Sequence, residues 1–206
     1  MMTRQSIHAV LFDFGGVLAE EGFRKGLEAI ASLHGLDLQD FFRTAQSLIL
    51  SSGYLTGHSS ESSFWDQLRE DTGIRGSDEE LRACILERFV LRDWMMALVE
   101  GLKETGVRVA ILSDQTNWLD ELDARLHFFR MFDRVFNSFP MGKSKHDPSL
   151  FTDVLTDMGL KPGETLFIDD TLGHVERARA RKIHGIHYTG RKQFIRDFAR
   201  FFPGKG

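Results

Sequence analysis

Acidic residues and a lysine follow several short apolar segments of this chain, in positions where a carboxylate or an ammonium group could take part in a reaction. Asp13 follows the apolar run 8–12, and Gly15 and Gly16 come directly afterwards. A run this short suits a buried strand of a parallel sheet, and ligands of open α/β sheets bind just outside strand carboxyl ends. A carboxylate there can be a nucleophile, a metal ligand or both. Asp13 alone could equally be an acid that caps a helix.

Polar side chains follow three later strands in the same way. Ser113 follows the second predicted strand, Lys145 lies in the segment after the third, and Asp169 and Asp170 follow the fourth. Parallel strands end at one edge, so these groups and Asp13 should meet there. Crowded carboxylates repel one another and favour a cation, and Mg²⁺ binds carboxylates, water and phosphate together. The order of these residues therefore predicts Mg²⁺-assisted phosphate chemistry, with Ser113 and following amides holding phosphate and Lys145 balancing charge.

Strand and helix patterns alternate around these residues, which predicts an α/β fold with a Rossmann-like, doubly wound parallel sheet. Strands are expected near residues 7–12, 107–112, 134–137, 165–168 and 184–188. Helices are expected between them and at the end, near residues 94–105, 117–127, 172–182 and 194–202. One further helix is expected to open at Asp147-Pro148, with Asp147 as its N-cap.

Residues 22–91 show helical patterns and no strand pattern. Four segments have apolar faces or caps typical of helices, at 22–35, at 38–51, around Phe64, and after Ser77, where Ser77 and Glu80 form a capping-box pattern. Helices inserted directly after a first strand indicate a bundle set into the sheet domain. The predicted division is a core of residues 1–18 and 92–206, with an inserted α-helical cap of residues 19–91.

Length and composition exclude several classes of protein. The chain has 206 residues, a net charge of −4 and one cysteine, Cys84. It is long enough for an α/β domain with an insertion, its mild charge does not favour nucleic acid, and it can form no internal disulfide. We expect neither a membrane span, which needs roughly 20 apolar residues, nor a signal peptide, because Asp13 interrupts the apolar stretch near the start. We expect a cytoplasmic protein with a small-molecule partner, no membrane or nucleic-acid partner, and a monomeric or weakly dimeric state.

The order of these motifs resembles the haloacid dehalogenase-like (HAD) hydrolases, most of which are Mg²⁺-dependent phosphatases. The resemblance covers nearly the whole chain. Four segments match the four family motifs, namely 13–17, 111–114, 145–151 and 167–175. The helical insertion resembles the small cap of the subgroup with an α-helical cap, which includes bacterial sugar-phosphate phosphatases.

The resemblance implies a role for each matching residue. Asp13 would be the nucleophile and Lys145 the second catalytic residue, with Ser113 and Asp114 binding substrate. The Mg²⁺ ligands would be Asp13, the carbonyl of Gly15, and Asp170, with Asp169 assisting. The implied activity is Mg²⁺-dependent hydrolysis of a phosphomonoester, through an aspartyl-phosphate intermediate, on a small phosphorylated metabolite such as a sugar phosphate.

One departure from the family pattern concerns proton transfer. Most family phosphatases carry a second Asp two residues after the nucleophile, where it protonates the leaving oxygen and later activates water. This chain has Gly15 there, so either the leaving group is a good one or another side chain supplies the proton. Glu20, Glu21 and His58, near the expected cap hinge, are candidates, although solvated surface positions are the more ordinary interpretation of each.

Two histidines mark further departures, and two other functions stay open. His174 stands where relatives in the subgroup usually have a supporting Asn, and His146 follows Lys145 where Pro is usual. A 2-haloacid dehalogenase would use the same fold without metal, but it would gain nothing from the Asp169-Asp170 pair. A non-catalytic protein that binds phosphate and Mg²⁺ would explain the missing acid.

Overall fold

A computed structural model describes residues 6–203. The two termini of the predicted core, residues 1–5 and 204–206, lie outside the described residues. Its sheet contains β1 (Ala9–Phe12), β2 (Arg108–Ser113), β3 (Arg134–Asn137), β4 (Thr165–Asp169) and β5 (His184–His187). The strands are all parallel, in the order β3-β2-β1-β4-β5. The chain winds outward from β1 in both directions, which confirms the predicted doubly wound sheet and puts the ends of β2, β1 and β4 side by side.

Ten α-helices accompany the sheet within the described residues. They are α1 (Gly22–His34), α2 (Leu38–Ser51), α3 (Glu61–Thr72), α4 (Asp78–Leu86), α5 (Asp93–Glu104), α6 (Trp118–Leu126), α7 (Ser138–Met141), α8 (Ser149–Asp157), α9 (Leu172–Ala180) and α10 (Arg191–Phe198). Helices α1 to α4 all precede α5 without an intervening strand, as the sequence predicts, while the division at residues 19 and 91 stays a prediction. None of the helices in residues 6–203 has the length and apolar character needed to cross a bilayer.

The two faces of the sheet are covered by different helices. Val10 and Phe12 of β1 pack in one apolar cluster with residues of α5, α6, α10 and the helical insertion. Ala9 and Leu11 point to the other face and pack with residues of α8 and α9. Because both faces of β1 are buried, every residue of the strand is apolar, as expected for a parallel sheet.

Two details between β3 and α8 differ from the prediction. Helix α8 begins at Ser149 rather than at Pro148, because its opening turn has a 3₁₀-type bond from the Leu150 amide to the Asp147 carbonyl. Asp147 still satisfies the helix start, since its carboxylate accepts from the Ser149 amide at 2.8 Å. Helix α7 was not predicted. Its Ser138 hydroxyl bonds to a distant backbone carbonyl, a contact that no local pattern reveals.

The two crossings between the sheet and the helical insertion lie together and pair with each other. The Glu20 amide donates to the Val90 carbonyl at 2.8 Å, and the Arg92 amide donates to the Leu18 carbonyl at 2.8 Å. The Arg92 guanidinium also donates to the Glu20 carboxylate at 3.0 Å and to the carbonyl of Gly16. The loop that follows β1 is thereby tied to the base of the insertion.

The capping box at the start of α4 gives a test of the local structure. The Ser77 hydroxyl accepts from the Glu80 amide at 3.2 Å, and the Glu80 carboxylate accepts from the Ser77 amide at 2.8 Å. We expect Ser77→Ala to lower the free energy of unfolding by about 1 kcal/mol, because a helix N-cap is lost. Chemical denaturation measures the change. Ser32→Ala, at an exposed position inside α1, is the control and should change stability by only a few tenths of that value.

Candidate active site

Asp13 stands at the carboxyl end of β1 with its side chain almost fully buried. Its Oδ1 accepts from the Phe14 amide at 2.7 Å and from the Ser113 hydroxyl at 2.7 Å, and Lys145 Nζ lies 3.0 Å away. Burial raises the pKa of Asp13, and the charge of Lys145 only partly opposes that effect. All three contacts use Oδ1, so the carboxylate is held in one orientation from one side.

Lys145 is buried and fixed at both ends. Its Nζ donates to Asp169 Oδ2 at 2.6 Å, and its backbone amide donates to the two carboxylate oxygens of Asp114 at 2.9 and 3.2 Å. Burial alone would lower the pKa of Lys145, but the charges of Asp13 and Asp169 raise it overall. Lys145 is therefore a permanent positive charge between two carboxylates.

The two acids at the carboxyl end of β4, Asp169 within the strand and Asp170 directly after it, have different environments. Asp169 accepts from the Thr171 amide at 2.7 Å and faces His174 Nδ1 at 3.2 Å. Burial alone would raise the pKa of Asp169, but Lys145 and His174 lower it overall. The pKa of Asp170 is raised by burial and by the charge of Asp169.

Three carboxylates form one potential metal-binding cluster. One oxygen each of Asp13, Asp169 and Asp170 lies within 4.8 Å of the others. Hard oxygen donors at a buried sheet edge suit Mg²⁺, and a cation there would oppose the effects of burial and of mutual repulsion, which raise the pKa of Asp13 and of Asp170. Gly15, whose carbonyl is the predicted third ligand, lies in the turn after β1 and bridges to Ala19.

The structure thus brings together the residues singled out in the sequence. Asp13, Ser113, Lys145 and Asp169 share one hydrogen-bonded network, and Asp170 lies beside it. Asp114 is connected to the network through the backbone amide of Lys145, which donates to its carboxylate, rather than through the Lys145 ammonium. Their assigned roles in substrate and metal binding stay predictions.

The two glycines after Asp13 differ in what surrounds them. Gly16 has a φ of +77°, which favours glycine, and a β-carbon there would overlap the Asp170 carboxylate and displace it. A β-carbon on Gly15 would lie 3.3 Å from the ring of Phe89 and 3.9 Å from Glu21 Oε1. The space where the missing acid of Gly15 would project is thus bordered by the carboxylate of Glu21.

A cavity of about 160 Å³ opens above this network, between the sheet edge and the helical insertion. The sheet side contributes Asp114, Gln115, Thr116, Trp118, His146 and His174, and the insertion side contributes Glu21, Phe23, Gln46, Ile49, Leu50 and Leu55. Most of the insertion residues were not identified from the sequence. Helical periodicity shows which face of a helix is apolar, but it does not show which residues project over a distant sheet edge.

The insertion is fixed over the cavity by contacts to α6 and its start. Trp118 stacks on Trp65 with ring centroids 5.9 Å apart, and the Tyr54 hydroxyl donates to Asn117 Oδ1 at 2.7 Å. Trp118 is buried in this interface and also forms part of the cavity wall.

The three candidates for proton transfer have different positions. Glu21 lines the cavity, and burial raises its pKa. Glu20 points to the hinge, the paired crossings at residues 18–20 and 90–92, where its carboxylate pairs with Lys25 at 2.7 Å and with Arg92. His58 bonds to Thr56 at 3.0 Å and is not among the lining residues. Glu21 is therefore the candidate that faces the cavity.

Comparison with known proteins adds three kinds of finding. The sequence profile of a family described as haloacid dehalogenase-like hydrolase matches residues 7–180. Phosphatase MT3486 of Mycobacterium tuberculosis is 25% identical over 189 residues, which is 84% of this chain and 83% of that protein. Flavin mononucleotide hydrolase 1 of Arabidopsis thaliana is 23% identical over 137 residues, 65% of this chain; the match spans little more than half of that protein, 56%.

Solved structures show the same fold. The HAD family enzyme bt-2542 from Bacteroides thetaiotaomicron superposes with a TM-score of 0.75 and 24% identity, covering 96% of this chain and 98% of that one. That enzyme has also been crystallised in complex with magnesium and inorganic phosphate. At 24% sequence identity, this similarity shows that the two chains share a fold, a parallel sheet with a helical insertion.

Gly16 provides a test of the carboxylate cluster. In Gly16→Ala the new methyl group would displace the Asp170 carboxylate, so we expect Mg²⁺ affinity to fall by about tenfold or more, the size of change seen when a ligand loses its orientation. Isothermal titration of the purified protein with Mg²⁺ measures the affinity.

Gly35→Ala is the matched control for Gly16→Ala. Gly35 also has a positive φ, +66°, but a β-carbon there would have nothing within 4 Å. Both variants carry the same backbone penalty of about 1–2 kcal/mol, yet Mg²⁺ affinity should change only at Gly16. Equal Mg²⁺ affinities in the two variants would show that Asp170 does not hold the ion.

Proposed function

The chain belongs to the haloacid dehalogenase-like hydrolase family, and we propose that it is a Mg²⁺-dependent phosphomonoester hydrolase. The main support is the buried network in which Lys145 joins Asp13 to Asp169 beside Asp170. The phosphatase relative from Mycobacterium tuberculosis and the magnesium and phosphate complex of the Bacteroides enzyme support the same class of reaction.

In this proposal Asp13 attacks the phosphorus atom of the substrate. Oδ1 is held by the three contacts described above, and Oδ2, which none of them uses, is the attacking oxygen. Displacement of the alcohol leaves an aspartyl-phosphate on Asp13, and water then releases phosphate. Lys145 and the Ser113 hydroxyl stabilise the phosphoryl oxygens during transfer, where catalysis consists mainly of positioning and charge.

The metal would be held by side chains already close together. Asp13 and Asp170 would be the carboxylate ligands, with the Gly15 carbonyl as a third ligand and Asp169 nearby. When bound, Mg²⁺ would neutralise charge on the phosphate and on the carboxylates around it.

The leaving oxygen needs a proton when the alcohol is a poor leaving group, and we assign that task to Glu21. Its Oε1 borders the space that an acid at Gly15 would occupy, and it faces the cavity where the substrate would lie. Burial raises the pKa of Glu21, which favours the protonated form that a general acid requires. Its second oxygen is fixed by the Arg24 amide at 2.6 Å.

The small cavity supports a small substrate. A volume of about 160 Å³ with polar groups at the sheet edge and apolar groups on the insertion suits a phosphorylated metabolite better than a polymer. A sugar phosphate is the specific class that we propose, with the insertion selecting the group attached to the phosphate.

Phosphate release from p-nitrophenyl phosphate and a panel of sugar phosphates tests the activity. We expect release with Mg²⁺ and none with excess chelator. Asp13→Asn should lose activity by several orders of magnitude, because it removes the nucleophile, while circular dichroism should show an intact fold.

Two outcomes would favour the other functions. Halide release from a 2-haloacid, insensitive to chelator, would indicate a dehalogenase. Binding of Mg²⁺ and phosphate by a folded protein without turnover of any ester or acyl phosphate would indicate a non-catalytic binding protein.

The role of Glu21 predicts a dependence on the leaving group. We expect Glu21→Gln to slow hydrolysis of sugar phosphates with alkyl leaving groups by roughly 10² or more, the usual contribution of a general acid. Hydrolysis of p-nitrophenyl phosphate should change by far less, since nitrophenolate leaves without protonation. A plot of log kcat/KM against leaving-group pKa should therefore be steeper for the variant.

Glu20→Gln is the matched control, because Glu20 is the neighbouring residue of the same type and points to the hinge. It should leave the slope of that plot unchanged. A uniform loss across all leaving groups in Glu21→Gln would assign Glu21 to positioning rather than to proton transfer.

A further inference from the structure

A second group of metal-ligating side chains lies in the cavity, apart from the carboxylate cluster. Asp114 follows β2, His146 precedes α8 and His174 lies in α9, so three separate segments contribute to it. One donor atom from each lies within 4.8 Å of the others. All three residues line the cavity above the network.

His174 has a nitrogen with no partner. Nδ1 faces Asp169 Oδ2 at 3.2 Å, and the side chain is only 10% exposed. Nε2 is fully buried and has no hydrogen-bond partner among residues 6–203. With Nδ1 directed at the Asp169 carboxylate, Nε2 is the ring nitrogen that is left for a ligand. A buried ring nitrogen without a partner favours a ligand, because buried polar groups are otherwise nearly always satisfied.

The contact with Asp169 is also the arrangement that prepares a histidine for metal binding. Metal-binding histidines commonly donate their other ring nitrogen to a carboxylate, which fixes the tautomer and makes the ligating nitrogen more basic. Asp169 has this relation to His174. The same carboxylate accepts from Lys145, so its position does not depend on the histidine.

The other two side chains complement His174. Both carboxylate oxygens of Asp114 accept from the Lys145 amide, which fixes the direction of the carboxylate. The ring of His146 stands at 90° to that of His174, with centroids 5.3 Å apart, and its Nδ1 lies 3.5 Å from Arg177. Metal–ligand bonds near 2.1 Å put the ligand atoms of a tetrahedral site ~3.4 Å apart. His146 is exposed, so its side chain is free to turn and bring its ring nitrogen to that distance from the other two ligand atoms.

We propose that Asp114, His146 and His174 bind one divalent transition-metal ion, with Zn²⁺ as the representative ion. Two imidazoles and one carboxylate are a donor set that suits these ions rather than Mg²⁺, which prefers oxygen alone. The remaining coordination positions of the ion would face the cavity. An ion there would either anchor an anionic group of a ligand or limit entry to the cavity. The proposal does not rest on the hydrolase activity, although this second site borders the cavity proposed for the substrate.

Isothermal titration of the full chain, without an affinity tag and in saturating Mg²⁺, tests the proposal with Zn²⁺ as the probe. Saturating Mg²⁺ is included to compete for the carboxylate cluster, and the Zn²⁺ binding that is lost in variants of Asp114 and His146 reports on the histidine site. We expect one Zn²⁺ per chain, and His146→Ala should weaken it at least tenfold. Asp114→Asn should weaken it as well, although its amide oxygen can still accept from Lys145. Co²⁺ should give visible absorption bands that are lost in the same variants.

His8→Ala is the control, because His8 is an exposed histidine at the opposite edge of the sheet, before β1. Zn²⁺ affinity should stay unchanged in this variant. His146 is exposed, so its variant should fold normally, which circular dichroism verifies. The proposal is overturned if Zn²⁺ binds the wild type no more tightly than millimolar, or if His146→Ala and Asp114→Asn bind as the wild type does. Equal weakening in His8→Ala would also overturn it, by indicating adventitious surface binding.

Discussion

The ion pairs of Lys145 with Asp13 and Asp169 are the interaction on which the sheet edge depends. A buried ammonium without partners would be strongly unfavourable, and so would two buried carboxylates only a few ångströms apart. Each charge is tolerable because the others are present, at 3.0 and 2.6 Å. Together with Asp170 the site has three carboxylates and one ammonium, so it carries two negative charges when fully ionised. One divalent cation would neutralise these two negative charges.

The pKa shifts follow from this balance of charge. Asp169, in contact with both Lys145 and His174, stays ionised, whereas burial raises the pKa of Asp13 and Asp170 because Lys145 compensates them less. Further positive charge near these two carboxylates would lower both values and ionise both groups. A nucleophilic role of Asp13 and a metal site at this edge would therefore be linked electrostatically, since a bound cation would favour the ionised form of Asp13 that the proposed attack needs.

The sequence predicted the sheet edge far better than the cavity above it. Asp13, Ser113, Lys145 and Asp169 could be placed together because parallel strands end at one edge, and the capping box at Ser77 follows from neighbours in the chain. The cavity wall depends on how the insertion docks. That docking rests on long-range contacts such as Trp65 on Trp118 and Tyr54 with Asn117, which no local pattern contains. The meeting of His146 with His174 was missed for the same reason, although each was noted separately as unusual.

The insertion and the loop after β1 are connected through the two paired crossings at residues 18–20 and 90–92. Arg92, on the returning crossing, bonds to the Gly16 carbonyl and to Glu20 on the outgoing one. Gly16 lies so close to the Asp170 carboxylate that a side chain at position 16 would have no room beside it. Movement of the insertion would therefore be transmitted through Arg92 to the turn that lies against a proposed metal ligand. Glu21 starts α1 on the same hinge, so the proposed acid would reach the leaving group only when the insertion is docked. Docking would then complete the proposed site for proton transfer as it excludes water, which would couple the proposed selection of substrate by the insertion to the proposed chemistry at the sheet edge.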